Sequence, residues 1–138
     1  MFSGLEDLPR RLVVALPATG KSVRLARETA EQIVTQWGIS PGHPSVGPAL
    51  LIVSELVTNT VRHAAVTCDN LTVLFAAGRD TFAFAVHDRH PYQPPLHAAA
   101  PGSGLATVTE LTTDLGGTAV VRADGDGHGK TIWITLPL

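Results

Sequence analysis

Between Leu50 and Ala64 the apolar residues Leu50, Leu51, Ile52, Val53, Leu56, Val57 and Val61 cover most of a helical circumference. They leave one polar stripe of Ser54, Glu55, Thr58, Asn59, Arg62 and His63. Residues three, four and seven apart share a helix face, so this spacing predicts a mostly buried helix with a polar seam. Polar groups on so apolar an element are costly unless they border a cleft or find partners, and a cleft is the expectation here.

The rest of the chain alternates between two periods. Arg11 to Leu16 is a short apolar run stopped by Pro17, which reads as a strand. From Gly20 to Trp37, the residues Val23, Ala26, Ala30, Ile33, Val34 and Trp37 recur at helical spacing until Gly38 ends the pattern. The Pro- and Gly-rich segment 40–48 is a loop until Pro48, which suits a first helical turn and opens the polar-seamed helix. After Ala65 the period becomes two. Residues 70–77 and 81–87 are β-rich and separated by Gly78, Arg79 and Asp80, a hairpin signal. The segment 88–104 contains four prolines and reads as a lid. Leu105, Val108, Leu111 and Leu115 then mark a helix closed by Gly116 and Gly117, and 118–122 pairs with 131–136 in a second hairpin across the loop 124–129.

Residues 1–10 have little pattern and suggest a loose arm; 11–138 read as a single domain. The order β, α, α, β, β, lid, α, β, β implies an α/β (α+β) two-layer sandwich, a mixed, mostly antiparallel sheet with about three helices on one face. It is not the alternating βαβ order of a dinucleotide fold.

Composition narrows the classes. With 138 residues, 44% hydrophobic and 16% charged, the chain can bury a core without metal or disulfide staples. A net charge of -2 and scattered Lys and Arg argue against direct binding to nucleic acid. Cys68 is the single cysteine, so no intrachain disulfide forms, which suits a reducing cytosol. No secretory h-region and no run of membrane-span length occurs, so a cytoplasmic protein without membrane contact is expected.

Several residue types carry chemistry. Glu55 and Asn59, one turn apart, can hold a hydroxyl or water and a hard cation such as Mg²⁺, respectively; a solvated stripe with Glu55 and Arg62 neutralising each other is the competing reading. Asp88 ends an apolar strand, where a carboxylate can accept a hydrogen bond from an exocyclic amine or cap the backbone before Pro91. Gly102-Ser103-Gly104 opens a helix and lets N–H groups approach a phosphate, a pattern that also serves as an ordinary helix start. Lys130 can compensate phosphate charge or be a solvated hairpin lysine; Thr131 can reach a ligand through water or pair across its hairpin. His87, His90 and His97 raise a transition-metal reading, but strand alternation points neighbours to opposite faces. Cys68 has no local activating partner.

Taken together, Ser54-Glu55-Leu56-Val57-Thr58-Asn59-Thr60-Val61-Arg62-His63-Ala64, Gly102-Ser103-Gly104-Leu105 and Gly129-Lys130-Thr131-Ile132-Trp133 resemble motifs of the histidine-kinase-like ATPase superfamily, with its Bergerat nucleotide fold. Within it the chain looks most like the stand-alone anti-sigma factor serine/threonine kinases. The resemblance implies ATP and Mg²⁺ as cofactors, Glu55 as general base, Asn59 as the Mg²⁺ ligand and Asp88 as acceptor for the adenine amine. It further implies that Gly102 and Gly104 belong to the phosphate-facing lid hinge, that Leu105 beside them contributes to nucleotide binding, that Arg62 and His63 line the phosphate side, and that Thr131 lies near adenine. The partners implied are a sigma factor and an anti-sigma antagonist, with a homodimer favoured. Phosphoryl transfer would rest on positioning and charge neutralisation. The rival reading is a nucleotide-regulated binding module that performs no transfer, motivated by Ser103 between the lid glycines; slow ATP hydrolysis coupled to lid movement is a third.

Overall fold

A computed structural model describes residues 8–64, 69–90, 96 and 103–138. Its elements are β1 (Arg10–Pro17), α1 (Lys21–Gln36), α2 (Val46–Ala64), β2 (Asn70–Ala77), β3 (Thr81–Asp88), α3 (Gly104–Asp114), β4 (Thr118–Ala123) and β5 (Lys130–Pro137). The strands form one sheet in the order β1-β2-β3-β5-β4. Every pairing is antiparallel, one step beyond the mostly antiparallel sheet expected, because β3 and β5 also run in opposite directions.

Strand alternation explains the layering. The register aligns Leu12, Phe75, Phe84, Ile134 and Ala119 in one row, and Val14, Val73, Val86, Ile132 and Val121 in the next. These rows face the helices, and Phe75, Phe84 and Ile134 are fully buried. Against them lie Ile52, Val53, Leu56 and Val57 of α2, each without solvent exposure, with Ala26, Ala30, Ile33 and Val34 of α1 and Val108 of α3. Truncating a core Phe such as Phe84 to Ala should cost about 3–5 kcal/mol.

The predicted punctuation is visible. Gly38 takes a positive φ of 72°, which lets the chain leave α1 while the Ile39 N–H returns to the Val34 carbonyl. Helix α2 begins at Val46, two residues before Pro48, because the first N–H groups of a helix have no intrahelical partner and Pro48 loses nothing by lacking one. The β2–β3 turn closes through the Gly78 N–H and the Thr81 carbonyl at 2.9 Å. The β4–β5 turn closes through the Asp124 N–H and the Gly129 carbonyl, also at 2.9 Å. Most of the proline-rich lid, with Gly102, lies outside the described residues, as do residues 1–7, Cys68 and His97. No described helix is long and apolar enough to cross a membrane.

Candidate nucleotide site

The polar seam of α2 opens onto the start of α3. Glu55, Thr58, Asn59, Arg62 and His63 line one small cavity with Ser103, Gly104 and Leu105. Glu55, Thr58 and Asn59 are half-buried, whereas Arg62 and His63, in the last turn of α2, are exposed. Helical spacing accounts for this, since residues 55, 58, 59 and 62 stack on the one face that the core does not cover. Basic residues in a last turn also complement the negative end of the helix dipole.

The first turn of α3 is shaped by small residues. Ser103 caps the helix, its Oγ accepting from the Ala106 N–H at 3.2 Å. Gly104 leaves room for Glu55: a Cβ at this position would stand 2.1 Å from Glu55 Oε2. A side chain here would push the Glu55 carboxylate aside, whereas the backbone conformation does not call for glycine. Six of the residues expected at a site, Glu55, Asn59, Arg62, His63, Gly104 and Leu105, come together here, with Thr58 and Ser103 in addition. The described cavity measures about 100 Å³. Pockets that hold a ligand of drug size measure roughly 300–1,000 Å³. A larger opening of about 490 Å³ lies elsewhere, among Arg10, Trp37, His43, Arg79 and neighbours, and contains none of the candidate site residues. Chemistry, not volume, marks the α2–α3 cavity as the candidate site.

Asp88, Lys130 and Thr131 do not line that cavity. Asp88 and Lys130 face the core at the end of the β3–β5 ladder, each 2% exposed, and form a buried ion pair. Lys130 Nζ donates to Asp88 Oδ1 at 2.8 Å and to Oδ2 at 3.0 Å. Thr60 Oγ1 donates to Oδ2 at 2.9 Å, and the His90 N–H donates to Oδ1 at 3.0 Å. Lys130 is therefore neither a solvated hairpin lysine nor a member of the α2–α3 cavity; the register opposes it to Asp88. Thr131, the next residue, falls by strand alternation on the outer sheet face between His87 and Arg122, away from Asp88. Thr60 was not foreseen. Its signal in the sequence is a hydroxyl at a core-facing helical position, one residue off the polar seam.

On the outer side of the same strand end, His87 Nε2 lies 2.8 Å from Asp124 Oδ2. Arg89 bonds Asp124 at 2.8 Å and Asp126 through both terminal nitrogens, at 3.3 and 2.8 Å. The Arg89 guanidinium, followed by the His128 N–H, holds the Asp126 carboxyl down at about 2. The same Asp126 bond raises Arg89 above its ordinary value. His87 is thus a partner of Asp124, and no group of three or more His, Cys, Asp and Glu side chains suited to a metal occurs among the described residues.

A five-stranded antiparallel sheet covered on one face by helices, with an acidic and an amide side chain facing a glycine-opened helix, defines a kinase-like ATPase domain. The family model of the histidine kinase-like ATPase domain matches residues 16–136, and the chain belongs to that family. Among solved structures, the chain is similar to the RsbU and RsbW domains of Rv1364c from Mycobacterium tuberculosis, with a TM-score of 0.69 and 24% identity. That match covers 94% of this chain and 33% of the other, so the chain spans about a third of that protein's structure. A blue-light-activated histidine kinase of Erythrobacter litoralis matches with a TM-score of 0.51 and 19% identity, over 89% of this chain and 62% of its own kinase domain. The mycobacterial sensor histidine kinase MprB matches with a TM-score of 0.54 and 14% identity, over 90% and 97% of the two chains. At these identities the likeness is one of fold. No curated protein matches the chain.

Proposed function

We propose that this protein is an ATP-binding regulator of the anti-sigma type, acting in the cytoplasm as a Mg²⁺-dependent protein serine/threonine kinase on an antagonist of its sigma-factor partner. The convergence of Glu55, Asn59, Arg62 and His63 with Gly104 and Leu105 on one cavity carries this reading. Membership of the ATPase family and the fold shared with an RsbW domain support it.

The residues suit the chemistry. Asn59 offers one neutral oxygen, enough for Mg²⁺, which takes few protein ligands and completes its shell with phosphate and water. Bound there, Mg²⁺ would neutralise phosphate charge. Glu55 is half-buried, and a carboxylate on this seam suits the role of base toward an attacking hydroxyl, while the Arg62 guanidinium supplies positive charge at the rim beside His63. The first N–H groups of α3, beside Gly104, add anion-binding donors. Transfer then depends on position and charge, with no covalent intermediate on the protein.

Titration with ATP and Mg²⁺ tests the nucleotide claim: binding that Asn59→Ala weakens at least tenfold is expected, and a wild type that does not bind removes it. Incubation with labelled ATP and an antagonist protein tests transfer, which Glu55→Ala should abolish. The saturated state of Asp88 favours one second reading, a nucleotide-regulated binding module without transfer. Glu55-dependent phosphorylation of a protein serine or threonine would sink that reading.

The outer sheet face supports a homodimer. The register places Val13, Leu74, Ala85, Trp133 and Val120 in a single row across all five strands. Val13 is 61% and Val120 43% exposed at the two edges of this row, Leu74 and Trp133 are half-buried and Ala85 is covered between them, and exposed apolar side chains on one sheet face are the kind of surface a second copy can cover. Sedimentation should give a dimer that Val13→Glu with Val120→Glu dissociates; a wild-type monomer at every concentration would end this part of the proposal.

A further inference from the structure

The residue pair at the end of the β3–β5 ladder determines what Asp88 is able to recognise. A carboxylate has about four lone-pair directions, two on each oxygen. Oδ1 takes Lys130 Nζ and the His90 N–H; Oδ2 takes Thr60 Oγ1 and Lys130 Nζ. Every acceptor direction is filled from within the protein, at a side chain only 2% exposed. The strand is drawn tightly against this point, because a Cβ on Gly129 would stand 2.6 Å from the Asp88 carbonyl oxygen. The neighbouring basic side chains do not compete: His87 and Arg89 are engaged by Asp124 and Asp126.

We propose that Lys130 is a specificity-determining residue, its ammonium filling the acceptor positions through which Asp88 would otherwise take the exocyclic amine of a purine nucleotide. The inference rests on the nucleotide reading above. With Lys130 in place, the resident ammonium stands where a base donor is needed, and a 6-amino purine bonds Asp88 only by displacing it. A free carboxylate would distinguish a 6-amino from a 6-oxo purine; a carboxylate already saturated by Lys130 gives up most of that distinction. The wild-type protein therefore binds ATP weakly and separates it poorly from ITP.

The test is titration of wild type, Lys130→Thr, Lys130→Met, Asn59→Ala and the double variant Asp88→Asn/Lys130→Thr with Mg²⁺-ATP and Mg²⁺-ITP. Circular dichroism melts first show which variants are folded, and Lys130→Met, which keeps most of the bulk of the lysine stem, carries the test if Lys130→Thr is not. Freeing the acceptors should tighten ATP binding about tenfold or more, the worth of one charge-assisted hydrogen bond, with ITP little changed. The double variant should lose the gain. Equal or weaker ATP binding in both Lys130 variants, or an equal gain for ITP, overturns the proposal. Its failure differs from failure of the nucleotide reading: if wild type binds ATP and Asn59→Ala weakens binding while Lys130 variants gain nothing, only the role of Lys130 falls. If no protein binds either nucleotide, both fall.

Discussion

Asn59 and Thr60 are adjacent in α2, yet they belong to regions built on opposite terms. Thr60 is 2% exposed and bonded to Asp88, inside a cluster where each carboxylate oxygen is satisfied by the protein itself. Asn59 is half-buried and faces a cavity with Glu55, Arg62 and His63. A step of about 100° around the helix separates a packed polar network from an open one. The packed end spends its polar groups on cohesion, so substitutions there should act first on stability. The open end leaves its groups for a ligand, so substitutions there should spare stability and alter chemistry.

The largest expected effect lies at the packed end. Asp88→Ala strands a buried ammonium, and loss of one member of a buried pair should cost about 3–5 kcal/mol in urea unfolding. Adding Lys130→Met should recover most of it; a stable single variant would show that the pair is not buried in solution. Thr60→Val preserves shape but removes a donor to a charged acceptor, for an expected loss of about 1.5–3 kcal/mol by the same measurement. At the open end Gly104→Ala should leave the melting temperature within a few degrees, since Ala favours a helix over Gly. Its Cβ displaces Glu55, so the phosphoryl transfer proposed above should fall about tenfold or more if Glu55 serves as its base. An unchanged rate with an altered melting temperature would reverse the contrast between the two regions.

The smallest effect concerns the exposed Arg89–Asp126 contact, which sharpens the comparison with the buried pair. Asp126 titrates at about 2 in the fold, below its ordinary 3.8. A depressed carboxyl contributes stability above its unfolded value and loses it as pH falls through the folded value. Asp126→Asn should therefore cost a little stability at pH 7, as expected for an exposed pair, and its difference from the wild type should fade as pH drops from about 4 to 2, read by unfolding at stepped pH.

Much of the fold was legible in the sequence because local period and punctuation agree with the tertiary result. The two hairpins, the Gly38 stop and the amphipathic α1 are short-range patterns, and each occurs where the pattern places it. The polar seam of α2 also foretold its cavity, since which residues share a helix face is fixed by spacing alone. Thr131 was less legible. Which face a strand residue occupies depends on register, and a shift of one residue inverts every assignment.

By itself the sequence determined the order and kind of the elements, the glycine-opened helix, and the five polar side chains from Glu55 to His63 that face one way. These follow from backbone sterics and helical or strand period, which act over a few residues. Only the tertiary structure decided that Lys130, forty-two residues along the chain, would meet Asp88 and fill its acceptors. That outcome needs the β3–β5 register and the close approach at Gly129, and the cost of a buried charge then obliges the two residues to satisfy each other.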